Sequence, residues 1–290
     1  MIIGKDLEKE AYSPGHIAEV LAEIEQQFPR YFEAFKVKRP LPEVMDAAIN
    51  EHVKTRDKYQ EYLHLPSLLD YEDDPNAFKK MTRNKCPIIH GCLMSADEAM
   101  KQYKISFNSV AGRDLLNTVR NLAEFGMNYV AEFDDAVHEQ ITSHSPLGLT
   151  VLEDNKYYCP GVVGYGIQSA LLHGRYGHAF AYRAQDAMWA LFFLSSRRDF
   201  GLEGGSEFLM VRPNQGNCEQ NYTYPPELFA FYALKIYLML KKACADVGIT
   251  LYPNHRYVYL HQFMSSVATD HRQDISILKW SSEYVENHWF

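Results

Sequence analysis

Apolar residues recur at helical spacing along most of this chain, and they divide it into blocks. Ser13-Pro14 reads as an N-cap followed by proline at the first helical position, and Ile17, Val20, Leu21, Ile24 and Phe28 follow on one face. Pro29 should interrupt that helix, with Tyr31, Phe32 and Phe35 continuing the apolar face beyond it. Arg39-Pro40-Leu41-Pro42 then breaks the chain before a second helical pattern from about Glu43 to Leu63. Residues 1–65 are therefore expected to form an N-terminal helical hairpin.

Residues 66–108 contain Pro66, the acidic turn Tyr71-Glu72-Asp73-Asp74-Pro75 and a Cys86–Cys92 stretch without clean periodicity, so this part reads as a connecting segment. From Ser109 to about Ile141 the positions Leu115, Val119, Leu122, Gly126, Tyr129, Phe133 and Ala136 step by threes and fours, which predicts one long central helix. Leu149-Thr150-Val151-Leu152 suits a short strand. Val162–His173 and Ala181–Leu194 are apolar on nearly every side, the pattern of helices packed within a core. Ser206–Val211, fenced by Gly204-Gly205 and Pro213, predicts a buried strand. Pro225-Pro226-Glu227 opens a helix that ends near Lys241-Lys242 with Gly248 beyond. Residues 249–260 fit either a hairpin or a turn into another helix. The expected fold class is α-rich α+β: the hairpin, the long central helix, and a C-terminal domain over 109–290 of packed helices with a few short strands.

At 47% hydrophobic and 13% aromatic over 290 residues, the chain can bury a large core. With 29 Lys+Arg against 37 Asp+Glu it carries a net charge of −8, which works against a nonspecific nucleic-acid coat. The first residues turn charged after four positions and offer no apolar core for a signal peptide, and no stretch is long and apolar enough to span a bilayer. Five scattered cysteines suggest reduced thiols. The expected setting is cytoplasmic, with no membrane partner.

The chain lacks a phosphate-binding glycine loop, a dinucleotide fingerprint, a GxSxG elbow, an HExxH and paired CxxC motifs, so no cofactor or resident metal is expected from its motifs. Its last 120 residues are instead rich in His and Arg, among them His173, His178, Arg183, Arg212, His255, Arg256 and His261. Arg256 and His261 form an R-x4-H spacing in which a fixed cation could hold phosphate while an imidazole moves a proton. This spacing resembles the pair that HEPN-type ribonucleases place on a helix. The string Ser206-Glu207-Phe208-Leu209-Met210-Val211 resembles the strand carrying the catalytic glutamate of DNA-targeting ADP-ribosyltransferases, which would imply a transfer role for Glu207.

Two further constellations are metal-like. Cys86, His90 and Cys92 lie within seven residues, and Asp135 and His138 share a helix face. Buried core thiols and a solvated acidic face are the competing readings. Tyr222, Tyr224, Phe229, Phe231, Tyr232 and Tyr237 could stack bases or anchor a protein, or form core.

The leading functional expectation is an enzyme, a hydrolase or transferase, acting on a nucleotide or nucleic-acid phosphate. In it Arg256 clamps phosphate, His261 is general acid or base, Glu207 is a third catalytic group, and Arg183, Arg212, His178 and His255 line the pocket. The alternatives are a non-enzymatic aromatic-rich helical module binding a protein or nucleic acid, and ADP-ribosyl transfer through Glu207.

Overall fold

The computed structural model describes residues 11–196 and 224–277. Twelve α-helices have both ends among them: α1 (Pro14–Lys38), α2 (Leu41–Tyr62), α3 (Leu65–Leu69), α4 (Pro75–Lys85), α5 (Pro87–Met94), α6 (Lys101–Ser109), α7 (Gly112–Ala131), α8 (Asp135–Glu139), α9 (Tyr165–Arg175), α10 (Gln185–Leu194), α11 (Pro226–Asp246) and α12 (Arg256–Asp270); residues 272–277 are also helical. The α-rich expectation holds. The only extended pairing among the described residues is an isolated bridge between Cys159 and Val163.

The two expected N-terminal helices form as α1 and α2, with Ser13 Oγ accepting the His16 amide at the cap, and each packs on later helices, α1 on α11 and α2 on α9 and α12. Pro29 does not interrupt α1. Residue 29 and Glu25, whose carbonyl loses its amide partner there, are both exposed, so water can satisfy that carbonyl. Burial of Val20, Ile24, Phe28, Tyr31, Phe32 and Phe35 on the other side holds the helix together, each apolar side chain contributing about 1.5–3 kcal/mol.

Three elements differ from the pattern-based expectation. The connecting segment is helical: Pro66, Pro75 and Pro87 each sit in the first turn of α3, α4 and α5, and the Asp74 carboxylate accepts the Ala77 amide at 3.0 Å, so the apparent breakers are starters. The long central helix ends at Ala131. Asp134 then caps α8 by accepting the Val137 amide at 2.9 Å, and this local bond replaces continuation of the helix. Thr150–Glu153 is a 3₁₀ turn in place of a strand, because the buried Glu227 carboxylate accepts the amides of Leu149 and Thr150, both at 2.9 Å. The strand expected at Ser206–Val211 lies outside the described residues.

α11 ends in a Schellman motif: the Ile249 amide donates to the Cys244 carbonyl and the Gly248 amide to Ala245, with Gly248 at φ 80°. The following segment is the turn into a helix, through a 3₁₀ turn at Pro253–His255 into α12. One hydrophobic core runs from Ala11 to Ala268 and joins residues of α1, α2, α4, α7, α9, α10, α11 and α12. The described cysteines 86, 92, 159 and 244 are free thiols, and no helix among the described residues is long and apolar enough to cross a membrane.

Candidate functional site

The sequence His173-Gly174-Arg175-Tyr176-Gly177-His178 forms the C-terminal turn of α9, and its two glycines decide what can approach it. A Cβ on Gly174 would strike the Tyr59 ring of α2, and one on Gly177 would lie 2.7 Å from His52 Nε2. Without side chains there, α2 presses its His52 and Tyr59 onto the turn. Three loose carbonyls of the region are then bound: Leu63 accepts from the Arg175 guanidinium, Gly177 from the Tyr257 amide, and His178 from Arg256 Nη1 at 2.8 Å.

Arg256 is completely buried at the start of α12. Its Nη2 donates to Asp135 Oδ1 at 2.9 Å and to Glu139 Oε1 at 3.2 Å, and the rings of Tyr237, Phe133 and Tyr257 surround it. Burial pushes the Glu139 carboxyl upward, but hydrogen bonds from Lys241 and Arg256 outweigh it and hold the group below its ordinary value. The guanidinium expected to clamp phosphate is thus committed to two carboxylates and a carbonyl. It is a brace between α8, α12 and the α9 turn. Its sequence partner His261 stands five residues on, about 140° around the same helix, and faces other neighbours.

Those neighbours are imidazoles. The His173 Nδ1 donates to the Phe180 carbonyl at 2.9 Å, and the His52 Nε2 donates to the His173 carbonyl at 3.2 Å. A carbonyl can only accept, so His173 keeps Nε2 bare and His52 keeps Nδ1 bare. The two rings meet edge to face at 5.3 Å. Tyr182 stacks on His173 with centroids 5.6 Å apart and tilts onto His261 at 4.9 Å, while His261 lies 6.1 Å from His173. His261 Nδ1 is buried and has no hydrogen-bond partner. Burial lowers the pKa of all three imidazoles, that of His173 to about 3, so each is a neutral base at pH 7. The exposed Asp186 carboxylate, in the first turn of α10, pulls His261 the other way.

The remaining expected residues divide. His255, in the 3₁₀ turn before α12, and His178 are partly buried and titrate below the ordinary value, chiefly through burial. His178 lies edge-on to Phe133 at 5.5 Å, beside the Arg256 brace. Arg183 is buried, with Nη2 donating to the Tyr224 carbonyl at 3.2 Å, where it fastens the chain entering α11. Glu207 and Arg212 lie outside the described residues.

Neither metal-like constellation assembles: among the described residues no group of three or more His, Cys, Asp and Glu side chains could hold a metal ion. Cys86 is buried and its thiol is pushed up to about 12 by burial, while His90 turns its Nδ1 to the Arg83 carbonyl. Asp135 is taken by Arg256, and His138 Nε2 meets the Tyr257 hydroxyl at 2.6 Å. Tyr224, Phe229, Phe231, Tyr232 and Tyr237 are all buried, so these aromatics form core and offer no stacking surface.

Neither His52 nor Tyr182 was legible in the sequence as a neighbour of His261. The only signal for His52 is its spacing of four from Arg56 on an amphipathic helix, and Tyr182 carries none. No family model matches the chain, and no curated protein or solved structure is significantly similar to it.

Proposed function

We propose that the chain is an enzyme acting on a nucleotide-type phosphate, with His261 moving the proton and His52, His173 and Tyr182 forming the wall around it. The observation that carries this reading is His261 Nδ1, a buried nitrogen without a partner inside a group of neutral imidazoles. A buried polar atom left unpaired costs about 1–3 kcal/mol, and such atoms concentrate where a substrate or water completes the bonding. A neutral imidazole accepts a proton from a water or hydroxyl as that oxygen attacks, and returns it as acid to the leaving group. Asp186 favours the charged form of His261 that exists between those two steps.

The test is a turnover screen against nucleoside mono-, di- and triphosphates and short oligonucleotides, with His261→Asn alongside. Loss of about 10²–10⁴ in rate with an unchanged melting temperature supports the proposal. Equal rates in the variant, or neither turnover nor a thermal shift with any member of the panel, overturns it. A ligand at one hundred times its dissociation constant adds about 2.7 kcal/mol of stability, which such a scan detects.

A further inference from the structure

We propose that the cavity between α2, α3, α4 and α5 binds a free aromatic amino acid, with the ring on the cavity floor, the ligand's carboxylate on Lys58 and its ammonium on Asp70. The site is separate from the imidazole cluster and goes beyond the reading above: Lys58 and Glu61, which line it, stand about 120° and 180° around α2 from His52.

The cavity holds about 550 Å³, inside the roughly 300–1,000 Å³ range of small-molecule sites. Its floor is apolar and aromatic. Tyr62 and Leu68 are buried there, with Tyr71 and Met81 partly buried beside them. The buried Phe78 stacks on Tyr62 at 6.0 Å and meets Tyr71 edge-on at 5.6 Å, which fixes both rings. The Tyr62 hydroxyl is taken by Thr82 Oγ1 at 3.1 Å, so its ring is what it offers the cavity. Aromatic faces beside an adaptable thioether suit a planar ring.

The charges in the lining specify the rest of the ligand. Lys85 and Glu61 are paired at 2.9 Å. Among the described residues Lys58 and Asp70 have neither a hydrogen bond nor an ion pair, and although they line one space they do not reach each other. The cavity thus keeps a cation and an anion apart over an apolar floor, and a molecule bearing both charges next to a ring complements it. Two more acceptors stand in the lining. The Asn84 amide group donates to the Lys80 carbonyl and His90 Nδ1 to the Arg83 carbonyl, which leaves Asn84 Oδ1 and His90 Nε2 to accept from an ammonium. These acceptors work against an anion such as a phosphate.

The experiment is calorimetric titration of the full chain with L-tryptophan and three analogues: tryptamine without the carboxylate, indole-3-propionate without the ammonium, and L-alanine without the ring. The parent is compared with Lys58→Gln and Asp70→Asn, both at exposed positions and both expected to keep the parental melting temperature. The proposal expects tryptophan to bind most tightly, tryptamine and indole-3-propionate about fivefold more weakly, and alanine weaker by about tenfold or more. Lys58→Gln should weaken tryptophan and indole-3-propionate but not tryptamine; Asp70→Asn should weaken tryptophan and tryptamine but not indole-3-propionate. No binding of tryptophan at millimolar concentration, or binding that neither substitution alters, overturns the site. Alanine binding as well as tryptophan overturns the ring, and analogues binding as well as tryptophan overturn the paired charges. Tryptophan binding lost in His261→Asn and kept in both cavity variants places the ligand in the imidazole cluster and also overturns the site.

Discussion

A buried arginine and an exposed lysine show how little a residue type says about its use. Arg256 has every requirement of a phosphate clamp in sequence, yet it lies fully buried against Asp135 and Glu139. Asp135 is half exposed and Glu139 keeps Lys241, so the loss falls chiefly on the His178 carbonyl and the packing of the guanidinium, and Arg256→Met should cost about 1–3 kcal/mol, read by chemical denaturation, while folded Arg256→Met still binds phosphate. A variant of parental stability that loses phosphate binding would show that the guanidinium faces a ligand. Lys58, unpaired in the lining of its cavity, was invisible as a candidate because a lone Lys on a polar helix face is ordinarily solvated. His261 was legible from the sequence as a candidate; its neighbours were not. His52 reaches it through the close approach of α2 to a glycine-bearing turn, and Tyr182 through the packing of the chain after α9 on His173 and His261; both are properties of packing.

At the scale of elements, the sequence marks where helices begin better than where they end. Ser13-Pro14, Pro225-Pro226 and Gly248 were read with their proper roles because caps and first-turn prolines act locally. Pro66, Pro75 and Pro87 carry the same signal, but the short helices they open span too few turns for an apolar periodicity to set them apart from loops. Continuity failed in both directions. Asp134 ended a helix whose apolar steps ran on, and Pro29 failed to end one. Since Pro29 is exposed and its neighbours stay helical, Pro29→Ala restores the amide donor to the Glu25 carbonyl. It should raise stability by about 1–3 kcal/mol, measured as the denaturation midpoint; a lower midpoint would mean that the proline sets the course of α1.

For the molecule as a whole, the burial of so many imidazoles makes a statement about acid. His52, His138, His173, His178, His255 and His261 all titrate below 6.5, chiefly because burial disfavours the charged form; His138 lies at about 4 and His173 at about 3. The unfolded chain takes up these protons first, so the stability is complete above pH 6.5 and is lost as pH falls from there toward the folded values. Each deeply buried imidazole costs about 1.4 kcal/mol per pH unit in that window, or roughly 2–4 °C of melting temperature per kcal/mol for a domain of this size. Melting curves between pH 8 and 4.5 should drop below 6.5, and His173→Gln should flatten the drop; a constant melting temperature from pH 7 to 5 would contradict the burial of these rings.

The imidazole cluster also sets a clock on biosynthesis. His52 emerges from the ribosome early, and Tyr182 and His261 follow some 130 and 209 residues later. Until α12 has been made, a nascent chain can hold α1 and α2 but no competent centre. The chemistry proposed for the cluster is therefore withheld from partial translation products, and a ribosome stalled before α12 leaves a polypeptide without His261.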